Sequence, residues 1–188
     1  MGTRIRFQGF GNLPVDRPLI IVSNHQSPFD IPPVVWGFRQ HHPKFISKIE
    51  LAKNIPSISY NLKHSGSALI DRKNRKQAIQ EINRLGELIE KNNFAACIYP
   101  EGTRSTNGKL KRFKEGGIAT LLQASPSALI VPFVINGNHR LLSSGSFPMS
   151  FGQSVTYQVL DPIEPNGLSS EELVGKVEQQ IRIALGQN

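Results

Sequence analysis

What most constrains this chain is an alternation of short apolar runs with longer segments of helical spacing. Leu19–Val22, Phe94–Tyr99 and Ala128–Ile135 are apolar stretches of strand length, the last carrying Pro132. Runs of this kind read as buried strands. Val155–Leu160 alternates like a strand, and Lys44–Ser47 and Ser67–Ile70 are shorter candidates. From about Lys73 to Lys91, Ala78, Ile79, Ile82, Leu85, Gly86 and Ile89 recur at helical spacing with charges on the other face. Ile31–Arg39 and Glu115–Gln123 read as shorter helices. A final helix opens with Ser169-Ser170-Glu171-Glu172, a capping-box pattern, and continues through Leu173, Val177, Ile181 and Leu185 on one stripe. Strands alternating with helices predict an α/β fold: a single layered domain over residues 1–188, with a mostly parallel central sheet flanked by helices. In such sheets, sites gather in the loops beyond the strand ends.

Charge narrows the partners. The chain has 188 residues and a formal net charge of +8. Residues 1–80 carry 12 Lys/Arg against 4 Asp/Glu, and residues 81–188 carry 10 of each. A positive field either serves solubility or favours an anionic partner: nucleic acid, a phosphorylated small molecule or an anionic membrane surface. The sequence has no recognised nucleic-acid motif, and one Trp and three Tyr offer few stacking platforms, so nucleic acid is not the expected partner. The single cysteine, Cys97, excludes an internal disulfide and a cysteine-rich zinc site. It lies in the apolar run 94–99, where it reads as a small buried hydrophobe and not a nucleophile. No apolar stretch approaches the roughly 20 residues of a membrane span. Met1–Arg6 leads into no signal-peptide core.

Four segments carry possible chemistry. In Asn24-His25-Gln26-Ser27-Pro28-Phe29-Asp30, His25 and Asp30 are five positions apart at a strand-to-helix transition. Across a turn closing into a helix, the carboxylate can fold back onto one imidazole nitrogen, fix the tautomer and leave the other nitrogen to take a proton. That is two-thirds of a catalytic triad, with a substrate hydroxyl able to take the nucleophile's place. The plainer reading is a capped loop with Asp30 serving the helix terminus. In Tyr99-Pro100-Glu101-Gly102-Thr103-Arg104-Ser105, Gly102 lets backbone N–H groups approach a ligand, Thr103 and Ser105 add hydroxyls, and Arg104 supplies a fork for phosphate. Lys109, Lys111, Arg112 and Lys114 follow; the plainer reading is a basic surface loop. Gly66–Arg72 is a strand ending in a charged pair, with Arg72 either reaching the same anion or engaged in a surface ion pair. Val131-Pro132-Phe133-Val134 is a core or edge strand. No third ligand lies near His25 and Asp30, so no metal site is expected, and His41-His42 reads as exposed loop.

Together, in this order and spacing, the four segments resemble the four blocks of the glycerolipid acyltransferase family, especially its bacterial 1-acyl-glycerol-3-phosphate (lysophosphatidic acid) acyltransferases. The resemblance runs from about residue 9 to about residue 165. It implies that His25 is a general base and Asp30 its orienting carboxylate. The acceptor's free sn-2 hydroxyl would attack the thioester of acyl-CoA or acyl-carrier protein, giving phosphatidic acid without a covalent acyl-enzyme and without a cofactor. Glu101, Gly102, Thr103 and Arg104 would hold the acceptor phosphate, with Lys48 facing it and Arg72 helping. Glycerol 3-phosphate, another lysophospholipid and a lyso-aminolipid are the alternative acceptors. The resemblance also implies a place on the cytoplasmic face of the cell membrane. Relatives commonly carry apolar helices ahead of the first block, whereas 24 residues precede His25 here. Attachment is therefore expected either through a segment outside this stretch or through peripheral docking on anionic lipid by basic residues and apolar groups around Ile31–Phe38. Trp36 itself is expected to pack in the core.

Overall fold

The apolar runs are unbroken because the strands they form lie inside a sheet covered on both faces. The computed structural model describes residues 2–52, 56–142 and 149–187. Its strands are β1 (Arg4–Gln8), β2 (Leu19–Ser23), β3 (Lys44–Lys48), β4 (Ala68–Ile70), β5 (Ala95–Ile98), β6 (Leu129–Asn136) and β7 (Ser154–Val159). Its helices are α1 (Ile31–Gly37), α2 (Pro56–His64), α3 (Arg75–Asn92), α4 (Gly116–Ala124) and α5 (Ser170–Ala184). The strands form one sheet in the order β1-β7-β6-β2-β5-β3-β4. The run β6-β2-β5-β3-β4 is parallel; β7 runs antiparallel to β6, and β1 parallel to β7. The mostly parallel α/β sheet expected from the alternation of elements is the sheet observed.

Strand β2 is central, bonded to β5 on one side and β6 on the other. Ile20 and Val22 face a core closed by Ile82, Leu85 and Ile89 of α3, Ile118 and Leu121 of α4, and Val177 and Ile181 of α5. Leu19 and Ile21 face the opposite core, with Val34 and Phe38 beyond them. Burying one such side chain contributes about 1.5–3 kcal/mol, so neither face of β2 tolerates a polar residue along this run. Helix α3 begins where Asn74 accepts the Gln77 N–H at 3.1 Å and ends at Asn93, which turns left-handed at φ 53°. The capping box at Ser169 and Glu172 opens α5.

Several local expectations are narrowed or corrected. Of the two positions open to the Pro132 strand, core or edge, the internal one is observed. Pro132 is tolerated there because the β6–β7 ladder begins only at Phe133, and its carbonyl still accepts the Leu160 N–H at 3.0 Å. Strand β1 is absent from the sequence-based expectation although Arg4-Ile5-Arg6-Phe7-Gln8 alternates apolar and polar residues; its five residues are all exposed, and Phe7 packs against Tyr157 of β7 with ring centroids 5.2 Å apart. Helix α2 is likewise absent from the sequence-based expectation. Trp36 is not core: it is 56% exposed. His41 is not exposed loop: it is buried, with Nε2 3.0 Å from the Pro14 carbonyl oxygen.

The parallel strands all end on one edge of the sheet. There β6 leads into Asn138, β2 into His25, β5 into Glu101, β3 into Lys48 and β4 into Arg72. Among the described residues, no helix is long and apolar enough to cross a membrane.

Candidate active site

The loop after β2 satisfies both readings of its sequence at once. Ser27 caps the turn Pro28–Asp30: its hydroxyl accepts the Phe29 N–H at 3.1 Å, while Asp30 Oδ2 accepts the Ser27 N–H at 2.9 Å. The same Oδ2 takes the Gln26 N–H at 2.6 Å and stands 2.7 Å from His25 Nδ1. A carboxylate oxygen only accepts, so Nδ1 carries the proton and Nε2 of the neutral ring holds the lone pair. Asp30 is fully buried, whereas the His25 side chain is 21% exposed. The carboxylate is thus sealed behind an imidazole that still meets solvent. Tyr99 stacks on His25 with ring centroids 4.2 Å apart. Burial lifts the Tyr99 hydroxyl well above its ordinary pKa, so it stays neutral beside the pair. Asn24 fastens the loop to β6, giving and taking one hydrogen bond each with the backbone of Ile135, both at 2.8 Å.

Glu101 has a different place from the one the resemblance implies. Its carboxylate is buried and spans two loops, accepting the His25 N–H at 2.7 Å and the Lys111 N–H at 3.0 Å. Burial raises its pKa, and the two backbone bonds and nearby positive charge oppose that rise. A carboxylate with both oxygens engaged offers a phosphate no donor; it holds the third block against the first. The Ser105 N–H to His25 carbonyl bond, 2.7 Å, makes a second tie. Gly102 adopts φ +73°, which favours glycine, and Lys114 Nζ lies 3.3 Å from where a Cβ would stand.

Beside the pair lies a cavity of about 310 Å³, walled by Gln26 and Ser27, by Thr103 and Arg104, and by His139. Thr103 and Arg104 are thus brought next to the first block. Lys48 and Arg72 are not among the residues lining this cavity. They stand at the ends of β3 and β4, one and two strands beyond β5. Partial burial lowers the Arg72 pKa while the charge of Glu50 raises it, although the residue as a whole is exposed.

Three residues that the sequence reading missed complete the site: Asn138, His139 and Tyr157. Asn138 Nδ2 donates to Asp30 Oδ1, and His139 Nδ1 lies 3.2 Å from Gln26 Oε1. Burial, and secondarily the charge of Arg140, lowers the His139 pKa. The available signal was the polar cluster Asn136-Gly137-Asn138-His139 directly after a buried strand, the position where sites of such sheets gather. Cys97 is fully buried and its thiol is pushed up to about 12, chiefly by burial, so it is no nucleophile. Among the described residues, no group of three or more His, Cys, Asp or Glu could hold a metal ion.

A parallel sheet with an oriented His–Asp pair at its C-terminal edge, next to an arginine-lined cavity, has the equipment of a general-base transferase. The chain belongs to the acyltransferase family, whose model, described as Acyltransferase, matches residues 4–136. It is 28% identical over 184 residues to the 1-acyl-sn-glycerol-3-phosphate acyltransferase of Saccharomyces cerevisiae, covering 97% of this chain and 58% of that protein. It is 32% identical over 180 residues to the human 1-acyl-sn-glycerol-3-phosphate acyltransferase beta, covering 94% of this chain and 62% of the relative. The crystal structure of the 1-acyl-sn-glycerophosphate (LPA) acyltransferase PlsC from Thermotoga maritima superposes with a TM-score of 0.77 at 28% identity, covering 98% of this chain and 71% of that one. The chain therefore spans about three-fifths of the yeast and human relatives' length.

Proposed function

We propose that this chain transfers a fatty acyl group from a thioester, acyl-CoA or acyl-carrier protein, to the sn-2 hydroxyl of 1-acyl-glycerol-3-phosphate, forming phosphatidic acid. The observation that carries this reading is the His25–Asp30 pair beside the Arg104 cavity, in a chain whose relatives are named for that reaction. His25 Nε2 takes the proton of the acceptor hydroxyl as its oxygen attacks the thioester carbonyl carbon. The C–O bond forms, a tetrahedral intermediate follows, the C–S bond breaks, and the thiolate takes up the proton. Asp30 offsets the positive charge on the imidazole while it holds that proton. General-base catalysis of this kind contributes roughly 10²–10⁴-fold, and positioning supplies more. Arg104 and the Thr103 hydroxyl bind the acceptor phosphate; Lys48 and Arg72 widen the cationic rim from the neighbouring strand ends. The test is transfer to a panel of acceptors with both donors. Arg104→Ala is expected to raise KM for phosphorylated acceptors about tenfold or more while sparing uncharged ones. Equal loss for all acceptors would refute the phosphate role, and selective transfer to glycerol 3-phosphate or a lyso-aminolipid would replace the acceptor.

The same reading puts the chain peripherally on an anionic membrane, on the cytoplasmic face where thioester donors are available. Ile5 is 57% exposed, Phe7 37%, Val35 47% and Trp36 56%. Phe7 meets Trp36 with centroids 4.7 Å apart, joining edge strand and helix into one apolar surface. Arg39 lies 5.2 Å over the Trp36 ring. Exposed rings rimmed by arginine suit a lipid headgroup layer.

A further inference from the structure

We infer that Asn138 and Tyr157 are positioning residues that aim the His25–Asp30 pair from behind. The inference rests on the acyltransferase reading for its kinetic consequence and on geometry alone for its physical content. The two oxygens of Asp30 are served unequally. Oδ2 receives His25 Nδ1–H, Gln26 N–H and Ser27 N–H, all from its own loop. Oδ1 receives one short bond, from Asn138 Nδ2 at 2.6 Å; the Ser27 hydroxyl stands off at 3.5 Å. Asn138 therefore supplies the main anchor for the oxygen that faces away from the base, and it comes from the end of a different strand, 108 positions further along the chain.

The orientation of the Asn138 amide follows from its neighbours. Turned over, it would set its own oxygen against a carboxylate oxygen at 2.6 Å, two acceptors in contact. As it stands, its Oδ1 accepts the Tyr157 hydroxyl at 2.9 Å. Burial raises the Tyr157 pKa, so that hydroxyl keeps its proton and remains a donor. Phe7 on β1 packs against the Tyr157 ring with centroids 5.2 Å apart. The chain Tyr157 O–H to Asn138 to Asp30 to His25 thus runs from β7 through the end of β6 to the end of β2. Each link is buried up to the imidazole, where a polar group without its partner is costly. The hydrogen bonds that join these two residues to the base run through Asp30: Tyr157 to Asn138, Asn138 to Asp30 Oδ1, and Asp30 Oδ2 to His25 Nδ1.

The test combines kinetics with a readout that needs no substrate. Asn138→Ala removes a hydrogen bond to a charged group and is expected to lower kcat about 10- to 100-fold, with KM within about threefold. Tyr157→Phe deletes one oxygen and is expected to lower kcat about 3- to 10-fold. In the unliganded protein, the His25 imidazole NMR signals are expected to move in Tyr157→Phe while those of His42 stay in place. Wild-type kcat in both variants, or unmoved His25 signals, overturns the inference. Should Asn138→Ala unfold, Tyr157→Phe carries the test. A wild-type protein that transfers no acyl group to any acceptor refutes the functional reading instead, and the imidazole signals still report on the relay.

Discussion

The sharpest consequence of the site concerns Asp30→Asn. The amide has the same shape as the carboxylate, so the question is what the charge contributes. With its oxygen in place of Oδ2, the substituted amide still accepts from His25 Nδ1, Gln26 N–H and Ser27 N–H. Its NH₂ group then faces Asn138, which can rotate to present its oxygen, because the Tyr157 hydroxyl accepts as readily as it donates. The relay reverses at the cost of one donor, the buried Tyr157 O–H, which gives up Asn138 Oδ1 as its acceptor. Stability is therefore expected to fall by about 1–3 kcal/mol, or roughly 2–12 °C in Tm. Activity depends on charge. With Nδ1 and Oδ2 2.7 Å apart, the charge centres of imidazolium and carboxylate lie about 4 Å from each other, and at an effective dielectric constant of about 20 their attraction is about 4 kcal/mol. That attraction exists only once the imidazole has taken the substrate proton, so its loss falls on the transition state and costs about 10³-fold in kcat. The assay is thiol release from acyl-CoA in the presence of acceptor, alongside a thermal melt. A variant that melts within these limits and keeps kcat within about tenfold of wild type would refute the argument that Asp30 acts through its charge.

Two further outcomes are expected. Glu101→Gln leaves a backbone N–H of His25 or Lys111 facing an NH₂ group and is expected to cost about 1–3 kcal/mol by denaturant unfolding. The folded-state pKa of Glu101 is raised above its ordinary 4.5, so the stability linked to its protonation is full below that value and is lost as pH rises through the folded pKa. The stability advantage of wild type over Glu101→Gln should therefore narrow as pH rises above the ordinary 4.5, and an advantage that widens would contradict the assigned burial. Trp36→Ala should weaken cosedimentation with vesicles containing anionic lipid severalfold while sparing transfer to a soluble short-chain acceptor; unchanged cosedimentation would remove this face as the docking surface.

Local order along the chain was legible in the sequence alone. Continuous apolar runs such as Leu19–Val22 require burial on both faces, and that requirement already implies a helix-covered parallel sheet. The helical period in α3 and the capping patterns at Ser27 and Ser169 mark element ends because capping bonds reach only two or three residues. His25 and Asp30 were legible together for the same reason: one turn joins them. Tertiary structure decided everything that passes between strand ends. Gln26 meets His139 across 113 positions, and Asn138 meets Asp30 across 108, distances over which spacing carries no information. Glu101 reads as a ligand-facing acid in its motif, yet the approach of the β2 and β5 loops turns it inward onto two backbone N–H groups. Trp36 reads as core and lies outside, because α1 presents it to a face that Phe7 of the exposed edge strand β1 covers only in part. Side-chain chemistry proposes which groups can react; the order of strands in the sheet decides which of them meet.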